Sequence, residues 1–158
     1  MAPSKTYNLP GLRCSMAITS DPELRRKLRE AEPPFFPEGN LMGFVAAVAA
    51  YRDGGEWLEQ VLAYLEVNRN LVADFVEREM PELKACRPEA TYLTWLDCRD
   101  TTISADPYRF FLEKAKVALS NGIPFGTGGE GFVRLNFACP RSTLMEALGR
   151  MKSALSCV

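Results

Sequence analysis

The sequence predicts an α+β chain, with a helix-rich first half followed by a small antiparallel sheet covered by helices. Three observations carry that expectation. Between residues 20 and 79, helix-type patterns alternate with Pro and Gly breaks. Residues 91–97 and 132–138 are β-rich runs of strand length bounded by turn residues. The chain then closes on an amphipathic pattern, Leu144, Leu148, Met151 and Leu155 at i, i+4, i+7 and i+11.

Composition narrows the function classes. The chain has 158 residues, 47% hydrophobic and 25% charged, enough to bury a core and too apolar for disorder. A net charge of −1 gives no electrostatic case for nucleic acid or an anionic membrane surface. No run approaches the ~18 consecutive apolar residues of a membrane span. Five cysteines without paired spacing, and no signal peptide, predict reduced thiols and a cytoplasmic location. Histidine is absent, which removes Ser-His-Asp, Cys-His and His-ligated metal chemistry from this chain. Proton transfer then falls to lysine, tyrosine, carboxylate or a cofactor.

Taken in order, residues 14–19 are small or apolar and have the composition of a buried strand, with no obvious partner for it within the chain. Ser20-Asp21-Pro22-Glu23 reads as a capped helix start, with Ser20 and Glu23 in capping-box spacing. That helix runs to about residue 31 and stops at Pro33-Pro34. Its basic run at 24–29 is flanked by Asp21, Glu23, Glu30 and Glu32 and reads as a solvated face. Phe35-Phe36-Pro37-Glu38-Gly39 is a loop. Asn40 caps a helix over 41–52 that is apolar nearly all round, and is therefore expected to be buried. Gly54-Gly55 closes it, and a long helix follows over 56–79 until Pro81.

The second half begins with a turn at 87–89 and a strand over 91–97. Asp106-Pro107 caps a helix to about residue 116, and 117–120 reads as a brief strand. Asn121-Gly122 and the Gly-rich stretch 126–131 are turns leading into the strand 132–138. As a phosphate loop that stretch is weak, because no Gly-Lys-Ser/Thr follows and it enters a strand. A close-approach turn that lines a pocket is the better reading.

Few residues stand out for chemistry. Alternation on 132–138 sends Val133, Leu135 and Phe137 to one face and Phe132, Arg134 and Asn136 to the other. Arg134 is either an edge-strand arginine reaching water, a structural ion pair, or a fork gripping a carboxylate. Tyr92 and Trp95 read first as core. Lys5, taken by position alone, is a solvated terminal lysine.

Five blocks together change that balance: Ser4-Lys5-Thr6-Tyr7-Asn8-Leu9-Pro10-Gly11-Leu12; Ala49-Ala50-Tyr51 with Gly55-Glu56-Trp57-Leu58; Tyr64-Leu65 with Asn68; Thr91-Tyr92-Leu93-Thr94-Trp95-Leu96-Asp97; and Gly131-Phe132-Val133-Arg134-Leu135-Asn136-Phe137-Ala138-Cys139-Pro140-Arg141-Ser142. Across essentially the whole chain they resemble the MalY/PatB-type cystathionine β-lyase branch of the class I/II aminotransferases. The resemblance implies an α/β fold, the C-terminal portion of the fold-type I architecture whose enzymes use pyridoxal 5′-phosphate (PLP). It implies a remnant of the large cofactor-binding domain at 1–55 and a small α+β domain at 56–158.

The same resemblance assigns roles. Lys5 matches the lysine that carries the cofactor. Ser4 and Arg13 match its phosphate-side donors, and Arg134 matches the arginine that binds the substrate α-carboxylate. The implied activity is C–S β-elimination from an amino acid, releasing thiol, pyruvate and ammonia. A class I/II aminotransferase is the first alternative, because it shares Lys5 and Arg134. The second is a non-enzymatic fragment that folds or works only with a separately encoded N-terminal half. The family forms homodimers. Its parallel sheet, its aspartate at the pyridine nitrogen and its ring-stacking aromatic have no match here. The expectation is therefore a fragment, inactive alone, with 56–158 as the ordered unit and 1–20 loosely held. In it, 14–19 and the helices at 22–31 and 41–52 lack the sheet they would pack against and are expected to expose apolar area.

Overall fold

The computed structural model describes residues 1–33 and 39–157, so Phe35, Phe36 and most of their predicted loop lie outside the described residues. The chain divides into two compact units, Met1–Val61 and Leu62–Val158.

The first unit opens with a four-residue helix, α1 (Pro3–Thr6), started by Pro3 and followed by a 3₁₀ turn over Pro10–Leu12. Asn8 and Arg13 take left-handed backbone conformations, φ 55° and 47°, which end these two turns. The predicted strand at 14–19 does not form. Its residues join no ladder: the Met16 N–H and C=O both bond to Met1, and the Thr19 carbonyl accepts from the Arg25 guanidinium at 3.0 Å. A strand needs a neighbour to take its remaining donors and acceptors, and none lies beside it among the described residues.

Helix α2 (Pro22–Glu30) is capped by Asp21 rather than Ser20, its Oδ1 accepting from the N–H of Glu23 at 2.9 Å and of Leu24 at 3.3 Å. All of its residues are exposed. Arg26 bridges Glu23 and Glu30, as expected of a solvated face. Asn40 caps α3 (Leu41–Asp53) through the Met42 N–H at 3.0 Å. The burial read from the pattern alone is absent here, and the apolar exposure expected of a fragment is what the helix shows. Only Gly43 and Ala47 are buried, while Leu41, Met42, Phe44, Val45 and Val48 are exposed. The apolar pattern is real, but within this unit it lacks a surface to bury against.

Helix α4 (Gly55–Glu79) is the longest element, and its second half enters the other unit's core with Val72, Ala73 and Val76. That unit contains a four-stranded antiparallel sheet. Its strands are β1 (Lys84–Ala85), β2 (Leu93–Asp97), β3 (Ser120–Asn121) and β4 (Phe132–Asn136), in the order β1-β2-β4-β3. The two-residue β1 escaped the sequence reading, and β3 falls at the end of the predicted 117–120 rather than along it.

Between them, α5 (Pro107–Phe110) starts at Asp106, whose Oδ1 accepts from the Arg109 N–H at 3.0 Å. It continues as a π-type turn over Phe111–Ala115 and stops at left-handed Lys116. Helix α6 (Arg141–Leu155) completes the layer. Leu96, Val133 and Leu135 from the sheet meet Phe111, Leu144, Leu148 and Met151 from the helices in one core. At ~1.5–3 kcal/mol per fully buried large side chain, this core is the main stabilising term of the unit.

Candidate functional site

The strand alternation has a direct consequence for Arg134. Val133 and Leu135 are buried in the core, so Arg134 projects to the opposite, open face of the sheet. It is not on an edge. In register it lies between Trp95 of β2 and Ser120 of β3, so all three share that face. Its Nη2 donates to Ser120 Oγ at 3.4 Å, a long contact. Its Cζ sits 4.4 Å from the centre of the Phe125 ring. Its Nε is buried and has no hydrogen-bond partner. Both unremarkable readings of this arginine therefore fail: it neither reaches out from an edge nor closes an ion pair among the described residues. An ordinary buried N–H is paired, and this one is not.

Beside Arg134, Trp95, Phe125, Phe132, Cys86 and the turn 126–129 line an open cavity of about 400 Å³. Trp95 meets Phe125 edge to face, centroids 5.2 Å apart. Trp95 is thus a wall of this face rather than core. Asp97, on the same face, accepts from the Arg99 guanidinium at 2.8 Å and 2.9 Å, and that pairing holds its carboxyl below its ordinary range. The Gly-rich segment is a close-approach turn, as read from sequence. A Cβ on Gly122 would lie 2.2 Å from the Gly129 carbonyl oxygen and 2.7 Å from that of Phe132. The backbones touch there, and glycine is required.

In the other unit, Ser4 and Lys5 sit on α1, Ser4 half-buried and Lys5 exposed, and Arg13 is exposed at its left-handed position. The segment is held by a residue that the sequence reading passed over. The Tyr7 ring meets Tyr51 edge to face at 5.3 Å and lies nearly parallel to Trp57 at 6.4 Å. A Cβ on Gly54 would come within 2.9 Å of the Tyr7 ring, so that glycine makes room for it. Tyr7, Tyr51 and Trp57 all fell within the quoted sequence blocks; what was missing was their convergence on one point.

Two further residues were quoted without a role. Asn68, with no solvent exposure, donates from Nδ2 to the carbonyls of Phe137 (3.0 Å) and Cys139 (3.1 Å). Its Oδ1 accepts from Arg141 Nε at 3.3 Å. Tyr64 accepts from the Arg141 N–H at 2.8 Å and donates to the Cys139 carbonyl at 3.3 Å. Pro140 cannot cap α6 with a side chain, so Tyr64 supplies that function from α4.

A family model described as aminotransferase class I and II matches residues 3–151. The chain belongs to this family. Among relatives of the class I and II aminotransferase family, cystathionine β-lyase PatB of Bacillus subtilis is 42% identical over 158 residues, covering 98% of this chain and 41% of its own. The crystal structure of OvoB superposes with a TM-score of 0.89 at 42% identity, covering all of this chain and 40% of that one. Cystalysin from Treponema denticola, whose structure contains pyridoxal 5′-phosphate, gives 0.85 at 35% identity, covering 99% and 40%. The chain thus spans about two fifths of the length of the relatives it matches. The fold is that of PLP-dependent fold-type I enzymes, here their helix-and-small-sheet portion. No helix of the described residues is long and apolar enough to cross a membrane.

Proposed function

We propose that this chain supplies the lysine, two phosphate-side donors and the substrate-carboxylate arginine of a PLP-dependent C–S β-lyase acting on an amino acid. The observation that carries it is Arg134. A guanidinium held over an aromatic ring on the open face of the sheet, in no ion pair among the described residues, suits a planar carboxylate. The lyase branch is favoured because a relative of 42% identity over nearly the whole chain bears a cystathionine β-lyase name.

The donor set of the first unit fits the cofactor by its chemistry. Lys5 offers the primary amine that an aldehyde requires, and Ser4 and Arg13 offer a hydroxyl and a guanidinium suited to a phosphate. When bound, PLP supplies an electron sink next to the substrate Cα, so elimination proceeds without histidine. Lys5 Nζ would take the α-proton and pass it to the departing thiolate as the Cβ–S bond breaks, water then releasing pyruvate and ammonia. Arg134 would fix the carboxylate, and Ser4 and Arg13 would anchor the phosphate. The groups that stack on the ring and face its pyridine nitrogen come from outside these 158 residues, as does half of the homodimeric site. On this reading the cofactor segment belongs to 1–55 and the carboxylate grip to 56–158.

The test is split-protein complementation. The 158-residue chain alone, given PLP and cystathionine, is expected to release no pyruvate. Co-expressed with the unmatched portion of a PatB-type relative, it should release pyruvate, and borohydride should fix PLP covalently to Lys5 by mass spectrometry. Lys5→Ala should abolish both signals. Transfer of the amino group to an added keto acid, without pyruvate, would move the assignment to an aminotransferase. Pyruvate release by the chain alone would overturn the claim that it needs the rest.

A further inference from the structure

Phe125 is out of place on solubility grounds. It is 53% exposed, so burial in the core does not hold it there. The chain nevertheless fixes it rigidly. Pro124 sits inside a 3₁₀ turn over Ile123–Phe125, and Asn121 Oδ1 accepts from the Ile123 N–H at 3.1 Å. The Phe125 N–H bonds to the Gly122 carbonyl at 2.9 Å, and Gly126 leaves the turn at φ 107°. The contact of Gly122 with the 129 and 132 backbones pins the turn to β4. Such a turn delivers one side chain to one place, and that place is the Arg134 guanidinium, 4.4 Å away.

We propose that Phe125 is a positioning residue for Arg134, setting the plane of its guanidinium so that the donor edge is presented to a carboxylate. This inference rests on the carboxylate role of Arg134 given above. An arginine in a site of this kind has several rotamers available, and each unproductive one lowers the fraction competent to bind. The guanidinium carbon lies over the Phe125 ring, which Trp95 braces edge to face. Ser120 Oγ takes one Nη at 3.4 Å, too long to fix the plane alone, and Nε keeps no protein partner. Stacking orients a planar cation without using any of its N–H donors. An ion pair with a protein carboxylate would have oriented it equally well and consumed the fork.

The experiment reads the Arg134 Nε–H directly by ¹H–¹⁵N NMR of the isotope-labelled 158-residue chain, with acetate as the probe and chloride at equal ionic strength as the control. In the wild type, acetate should shift that signal saturably and chloride should not. In the absence of probe, the Arg134 Hδ protons should carry an upfield ring-current shift from Phe125. Phe125→Leu should weaken the acetate response about fivefold, the scale of a lost stacking contact. Phe125→Tyr, which keeps the ring, should restore it to within about twofold.

Equal acetate affinity in Phe125→Leu and wild type would overturn the proposal, as would equal losses in the Leu and Tyr variants. Should Phe125→Leu fail to fold, the ring-current shift of the wild type decides: its absence overturns the stacking. A wild-type signal indifferent to acetate, with the ring-current shift present, overturns instead the carboxylate role of Arg134, so the two failures are distinct.

Discussion

Asn68 bonds to three partners from a position with no solvent exposure, two of them carbonyls in the turn that joins β4 to α6. Asn68→Ala leaves the Phe137 carbonyl without its donor and opens a small cavity, which should cost about 2–3 kcal/mol. Urea denaturation measures it, and a loss below about 0.5 kcal/mol would mean that water takes over these bonds. Asp97 makes a different kind of contribution. Hydrogen bonding to Arg99 is the largest cause of its lowered pKa. A carboxyl depressed in the folded state adds stability that is fully present above its unfolded value of ~3.9. That increment disappears as the pH falls through the lower folded value. Asp97→Asn should therefore narrow the stability difference between about pH 5 and about pH 2.5, read from urea midpoints at each pH. An unchanged difference would show that exposed Arg99 is too well solvated to matter.

Strand β4 and helix α6 could be read from residue patterns because their neighbours are in the chain. The alternation of Val133, Leu135 and Phe137 corresponds to real burial, as does the Leu144, Leu148, Met151 stripe. Other segments carry patterns without a matching partner among the described residues. Residues 14–19 have strand composition, yet no ladder forms, and α3 has a core-like sequence with an exposed surface. Strand β1 is two residues long and owes its existence to pairing with β2, which no local signal records. The same distinction runs through the site. Arg134 could be singled out as a polar residue on an apolar strand, whereas its stacking on Phe125 depends on a turn that only the fold brings near. Pairing also governs protection. The amides of 132–136 should exchange slowly and those of 14–19 fast, because β4 is bonded on both sides and 14–19 has little beyond the Met16 pair. Hydrogen exchange followed by mass spectrometry tests this, and equal protection would contradict it.

The molecule holds a family signature along nearly all of its length, and about two fifths of the length of the relatives that share it. The roles proposed for it are chemically coherent: an amine and phosphate donors on one short segment, and a carboxylate grip on a well-packed sheet. Its net charge is −1 and its sequence pI is about 5.6. That near-neutral balance meets the bare side of α3, where Leu41, Met42, Phe44, Val45 and Val48 stand in water. Little long-range repulsion keeps two such surfaces apart. Helix α3 thus weighs on the colloidal behaviour of the chain. Mildly acidic buffers and ammonium sulfate will bring it out of solution early, whereas glutamates at positions 45 and 48 should keep concentrated stocks clear without touching the sheet that carries Arg134.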